Sequence, residues 1–172
     1  MRPYYEGWYM RRQQGGDILA GIPGRAQDEA FIQVVTADGA HYLPFPLEDF
    51  RQTGTRSMRV GRSLFSPIGM MLDVQAPGLE LVGRLRYREL TPLRSDIMGP
   101  FAYLPMETKH TVFRMRHRVD GEVALNGRTL RSEHAKGYME GARGHRLHRG
   151  YTRLQSTDLP RAAPAMPAPS AT

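Results

Sequence analysis

The sequence predicts a mainly β domain, an antiparallel meander closed as a barrel or stacked as a sandwich. Short runs of Val, Ile, Leu, Tyr and Phe recur between Gly, Pro, Asn and Asp. Few windows repeat apolar residues at the three- and four-residue spacing of an amphipathic helix. Asp120-Gly121 and Asn126-Gly127 stand at the tips of alternating runs, and both dipeptides tolerate the positive φ of a two-residue hairpin turn.

The elements follow in chain order. Predicted strands span Tyr5 to Arg12, Ile18 to Ile22, Ala30 to Thr36, His41 to Pro44, Met58 to Val60 and Gly69 to Gln75. Leu79 to Tyr87 comes next, with Leu79, Leu81, Gly83, Leu85 and Tyr87 toward a core and Glu80, Val82, Arg84 and Arg86 toward water. Lys109 to Val119 divides the same way: Thr111, Phe113, Met115, His117 and Val119 form one face, and His110, Arg114, Arg116 and Arg118 the other. Glu122 to Leu125 and Arg128 to Ser132 complete the set. The Asp-Gly turn makes Glu122 to Leu125 a short middle strand and sets Val123 opposite Arg118, whereas a bulge at Gly121 shifts the parity and removes that conflict.

Composition bounds the function. The chain has 172 residues, 40% of them apolar and 24% charged, with no Cys, which suits one domain and excludes disulfides and cysteine zinc sites. No apolar run approaches the roughly 18 residues of a membrane-spanning helix, and Met1 to Tyr5 lacks the core of a signal peptide, so a cytoplasmic location is expected. Residues 160 to 172, rich in Pro and Ala, are expected to be a disordered tail after a domain of residues 1 to 159. The net charge of +7 raises nucleic acid as a partner, but residues 141 to 172 hold five of the basic residues and one acidic residue. More than half of the excess therefore lies outside the main body, which argues against a nucleic-acid fold. The basic stretch 143 to 153 keeps non-specific binding to an anionic surface open.

Asp96 to His110 brackets apolar and aromatic residues with an acid at each end and a His. A carboxyl group in an apolar pocket has a raised pKa and can donate a proton near neutral pH. Glu107 shares the parity of Phe113, Met115 and His117 and is the best inward acid, with Asp96, His110 and His117 as further candidates. Tyr103 would stand near the pocket mouth. The plainer reading of Glu107 is a strand-end ion pair with Lys109, and that of His117 a hydrogen-bonded core residue. The six His show no metal-ligand spacing, and neither a phosphate loop nor a Gly-x-Ser-x-Gly elbow occurs.

Tyr5-Glu6-Gly7-Trp8-Tyr9, Asp96-Ile97-Met98-Gly99-Pro100-Phe101, Pro105-Met106-Glu107 with His110, and Gly137-Tyr138-Met139-Glu140 occur in this order. Together they resemble the tocopherol cyclase-like family over most of residues 3 to 160. The resemblance implies a lipocalin-like antiparallel barrel or half-barrel. It also implies acid-assisted closure of a prenylated hydroquinone to a chromanol, without metal or redox cofactor. The pocket would then be lined by Trp8, Tyr9, Phe101, Tyr103, Phe113 and Met115. The partner would be a prenylated quinol or another lipid, with peripheral membrane contact. Arg146-Leu147-His148 and Arg153 stand where the family has Ser-Phe-Pro and Trp, so the chain resembles the N-terminal half of such a protein with an altered end. A non-catalytic isoprenoid-binding barrel, or an inactive fragment, is the alternative.

Overall fold

The computed structural model describes residues 4–89 and 108–144, with side chains for 4–89 and 117–144. The strands are β1 (Tyr5–Gln14), β2 (Asp17–Ala26), β3 (Glu29–Thr36), β4 (Ala40–Pro46), β5 (Phe50–Gly54) and β6 (Ser57–Val60). They continue with β7 (Ser63–Ser66), β8 (Gly69–Ala76), β9 (Leu79–Arg88), β10 (Thr108–Leu125) and β11 (Arg128–Gly144). All are antiparallel in one 11-stranded sheet of order β4-β3-β2-β1-β11-β10-β9-β8-β7-β6-β5. Pairing of β1 with β11 joins the two arms of the meander and curls the sheet into a nearly closed barrel. Among the described residues the edge strands are β4, where Pro44 and Pro46 lack N–H groups, and β5. The expected mainly β, antiparallel barrel is thus the fold.

Alternation decides what enters the core. Met10, Leu19, Ile32, Val34, Phe65, Leu72, Leu81 and Leu85 are almost wholly buried on inward faces. On β9 the expected split holds: Leu79, Leu81, Leu85 and Tyr87 are buried and Glu80, Arg84 and Arg86 exposed. Trp8, flanked by Tyr5 and Tyr9, is 9% exposed. Among the described residues no helix is long and apolar enough to cross a membrane.

Two departures from the sequence reading stand out. Asn126-Gly127 does turn a hairpin, with φ of 49° and 80°, but Asp120-Gly121 does not. β10 runs through it in unbroken register with β9, from Arg118 opposite Arg88 to Leu125 opposite Leu81. The irregularity falls instead on β11, where His134 takes φ 54° and its backbone N–H donates to Asp120 Oδ1 at 2.8 Å. Because β10 is one strand, His117, Val119 and Val123 share its buried face and the conflict with Arg118 never arises. The second departure is that β5 and β7 were not foreseen; Arg51-Gln52-Thr53 and the two serines of β7 hide their strand character.

Candidate functional site

The start of β1, the end of β2 and the end of β11 meet at one rim of the barrel. Glu6 faces inward there with the parity of Trp8, Met10 and Arg12. Register sets Arg25 of β2 on one side of it and Arg143 of β11 on the other. With Tyr4 and Arg56 these residues line a cleft of about 470 Å³ that has Trp8 as an apolar wall.

Glu6 is 7% exposed, and both of its oxygens are engaged. Arg25 Nε lies 2.7 Å from Oε1, and the Tyr4 hydroxyl donates to Oε2 at 2.9 Å. The Arg25 guanidinium also lies over the rings of Tyr4 and Phe50, at 5.7 and 5.1 Å, so aromatic faces fix the cation that holds the carboxylate. Burial, and then the hydrogen bond to Glu6, push the Tyr4 phenol above its ordinary range, which keeps it a donor at neutral pH. Among its described lining residues one carboxylate, Glu6, stands with three arginines, Arg25, Arg56 and Arg143. A carboxylate accepts hydrogen bonds and guanidinium groups donate them. The cleft can therefore bind hydroxyl and anionic oxygen atoms against an indole wall.

Of the residues expected at a site, Trp8 lines this cleft. Tyr9 lies on the outer face, since Trp8 and Met10 turn inward, and its ring meets Tyr138 edge-on at 6.3 Å. The sequence reading set Tyr9 beside Trp8 at a pocket; strand alternation separates them. His117 is 3% exposed in the barrel interior, with its ring 4.6 Å from that of Tyr87. It pairs with Gly137, which pairs with Arg12, six residues along β1 from Glu6 and so about 20 Å away. The structure does not bring His117 to the rim. His110 pairs with Ala142, at rim level.

The shared face of Glu107, Phe113, Met115 and His117 rested on a regular strand, and β10 is not regular: its register with β11 slips between Val112 and Arg114 and again between Arg114 and His117. Parity therefore does not carry across this stretch. The side chains of His110, Phe113 and Met115 lie outside the described residues, as do Asp96, Phe101, Tyr103 and Glu107. Sequence reasoning passed over Glu6 and Arg25 as site residues and read Arg143 only as part of the basic stretch 143 to 153. The signal was present in Glu6-x-Trp8-x-Met10-x-Arg12, which puts two charges on the face that an apolar Trp and Met mark as inward.

Among the described residues no group of His, Cys, Asp and Glu could hold a metal ion. Comparison with protein-family models and with curated proteins finds no match for the chain.

Proposed function

We propose that the rim cleft binds the aromatic head of a prenylated phenol or quinol, making this chain a small-molecule-binding barrel. The observation that carries the reading is Glu6, fixed by Arg25 and Tyr4 beside Trp8. A phenol hydroxyl donates to the carboxylate, the arginines receive lone pairs of the ring oxygens, and the indole packs on the ring. The resemblance to tocopherol cyclase-like proteins supports the same ligand class.

Trp8 is the single Trp, so its fluorescence reads the site directly. Titration with a prenylated hydroquinone is expected to quench it saturably, and Glu6→Gln to weaken binding about tenfold, the worth of one charge-assisted hydrogen bond. Absence of saturable quenching, or an affinity that Glu6→Gln and Arg25→Met leave unchanged, overturns the proposal.

Cyclisation is a second reading, favoured by the place where β10 enters the sheet. Thr108 pairs with Gly144, which pairs with Tyr5, and Glu107 precedes Thr108 in the chain. Acting as the acid, Glu107 would protonate the prenyl alkene, the phenol oxygen would capture the tertiary cation, and the phenolic proton would be released, a net isomerisation. Chromanol formation that falls in Glu107→Gln supports it; saturable binding without product leaves the binding barrel.

A further inference from the structure

One row of charged positions crosses four neighbouring strands at the rim. Arg25 of β2 stands opposite Glu6 of β1, Glu6 opposite Arg143 of β11, and Arg143 opposite Lys109 of β10. Three of these positions carry a cation and one a carboxylate. That carboxylate is already held, by Arg25 Nε at 2.7 Å and by the Tyr4 hydroxyl at 2.9 Å. Arg143, on its other side, is exposed and lines the cleft, and among the described residues it forms no ion pair or hydrogen bond.

Like charges at directly opposed positions destabilise a sheet. Register gives Arg143 and Lys109 such positions, so an anion on that side of Glu6 relieves their repulsion. A guanidinium fork matches a carboxylate through two parallel hydrogen bonds, whereas a neutral hydroquinone offers it only an uncharged oxygen. An inorganic anion would gain from Arg143 but be repelled by Glu6.

We infer that the ligand of the rim cleft is a phenolic acid, an aromatic ring bearing a carboxylate as well as a hydroxyl, with the hydroxyl on Glu6 and the carboxylate on Arg143. The inference rests on the binding of a prenylated phenol proposed above and narrows it to an anionic one. Directly opposed residues are about 5 Å apart at Cα, a gap that one benzene ring with two substituents bridges. Trp8 stands opposite Gly141, which adds no side chain, so the ring has room beside the indole.

The test is titration of the full chain at pH 7, read by Trp8 fluorescence. The ligands are a prenylated hydroquinone, the matching prenylated 4-hydroxybenzoic acid, and the methyl ester of that acid. The acid is expected to bind about tenfold more tightly than the hydroquinone, the worth of one charge-assisted hydrogen bond, and the ester no more tightly than the hydroquinone. Arg143→Gln is expected to bring acid and hydroquinone within about twofold of each other, while Arg143→Lys, which keeps the charge and loses the fork, retains part of the preference. The chain is basic overall, so the control is Arg84→Gln, an exposed residue of β9 that does not line the cleft. It changes net charge equally and is expected to leave the preference intact. Equal affinity for acid and hydroquinone, a preference that survives Arg143→Gln, or the same loss in Arg84→Gln would overturn the inference and leave the phenol reading standing. Absence of saturable quenching by all three compounds would sink the phenol reading, and the inference with it.

Discussion

His117 of β10 and Gly137 of β11 face each other inside the barrel so closely that the imidazole occupies the space a side chain at 137 would need. A Cβ there would overlap His117 Nε2 and Cδ2 and touch a Val119 methyl. On its other side the ring meets Tyr87 at 4.6 Å. Gly137→Ala is therefore expected to cost about 1–3 kcal/mol through overpacking. Adding His117→Ala should recover part of that loss, because the main obstruction is gone. Urea unfolding of the two variants checks it; a neutral Gly137→Ala would refute the packing.

Gly121 and Gly127 both have positive φ, at 125° and 80°, but in different surroundings. A Cβ at 121 would overlap the Arg84 carbonyl of β9, whereas one at 127 meets open space. Gly127→Ala is expected to lose about 1 kcal/mol of backbone strain energy and Gly121→Ala clearly more, since β9 and β10 must separate. Thermal unfolding of the pair gives the order, and equal losses would contradict the unbroken β9–β10 ladder.

Arg12 is 1% exposed and satisfied on three sides. Nε donates to Ser132 Oγ at 2.8 Å, Nη1 to the Asp17 carbonyl at 3.1 Å and Nη2 to the Arg131 carbonyl at 2.8 Å. It ties the β1–β2 turn to β11. Arg12→Met removes one buried and two part-buried hydrogen bonds and is expected to cost about 3 kcal/mol; Ser132→Ala removes one bond and should cost about 1–2 kcal/mol. Arg12→Lys is expected to rescue little, because an ammonium cannot reproduce the planar fork. Chemical denaturation ranks the three, and a lysine variant as stable as the parent would reject the fork.

Tyr87 is buried, and among the described residues its hydroxyl has no hydrogen-bond partner. Tyr87→Phe is expected to stabilise the fold by about 1 kcal/mol by removing an unpaired polar group. Burial raises the Tyr87 pKa, and burial with the hydrogen bond to Glu29 raises that of Tyr42 to about 12. A raised phenol pKa means that the folded state holds its proton longer than the unfolded chain. The associated stability is thus complete below about pH 10 and is lost as pH climbs through the folded values. Stability followed from pH 9 upward should decline, less steeply in Tyr87→Phe; an identical slope would remove Tyr87 from the alkaline transition.

Much of the fold was determined by local order in the sequence. Alternation along 79–87 fixed which side chains of β9 enter the core, because successive residues of an extended chain point to opposite faces. Asn126-Gly127 fixed a turn, and the structure adds why the first residue is Asn: its Oδ1 accepts from the Glu80 N–H at 2.7 Å and its Nδ2 donates to the Gly78 carbonyl at 3.1 Å. Tertiary structure decided the rest. Asp120-Gly121 has the local chemistry of a turn, yet β9 on one side and the β11 bulge on the other use it as mid-strand. Glu6 meets Arg25 and Arg143 only through strand register. Register is set by pairing among segments far apart in the chain, and periodicity within one strand carries no record of what lies opposite.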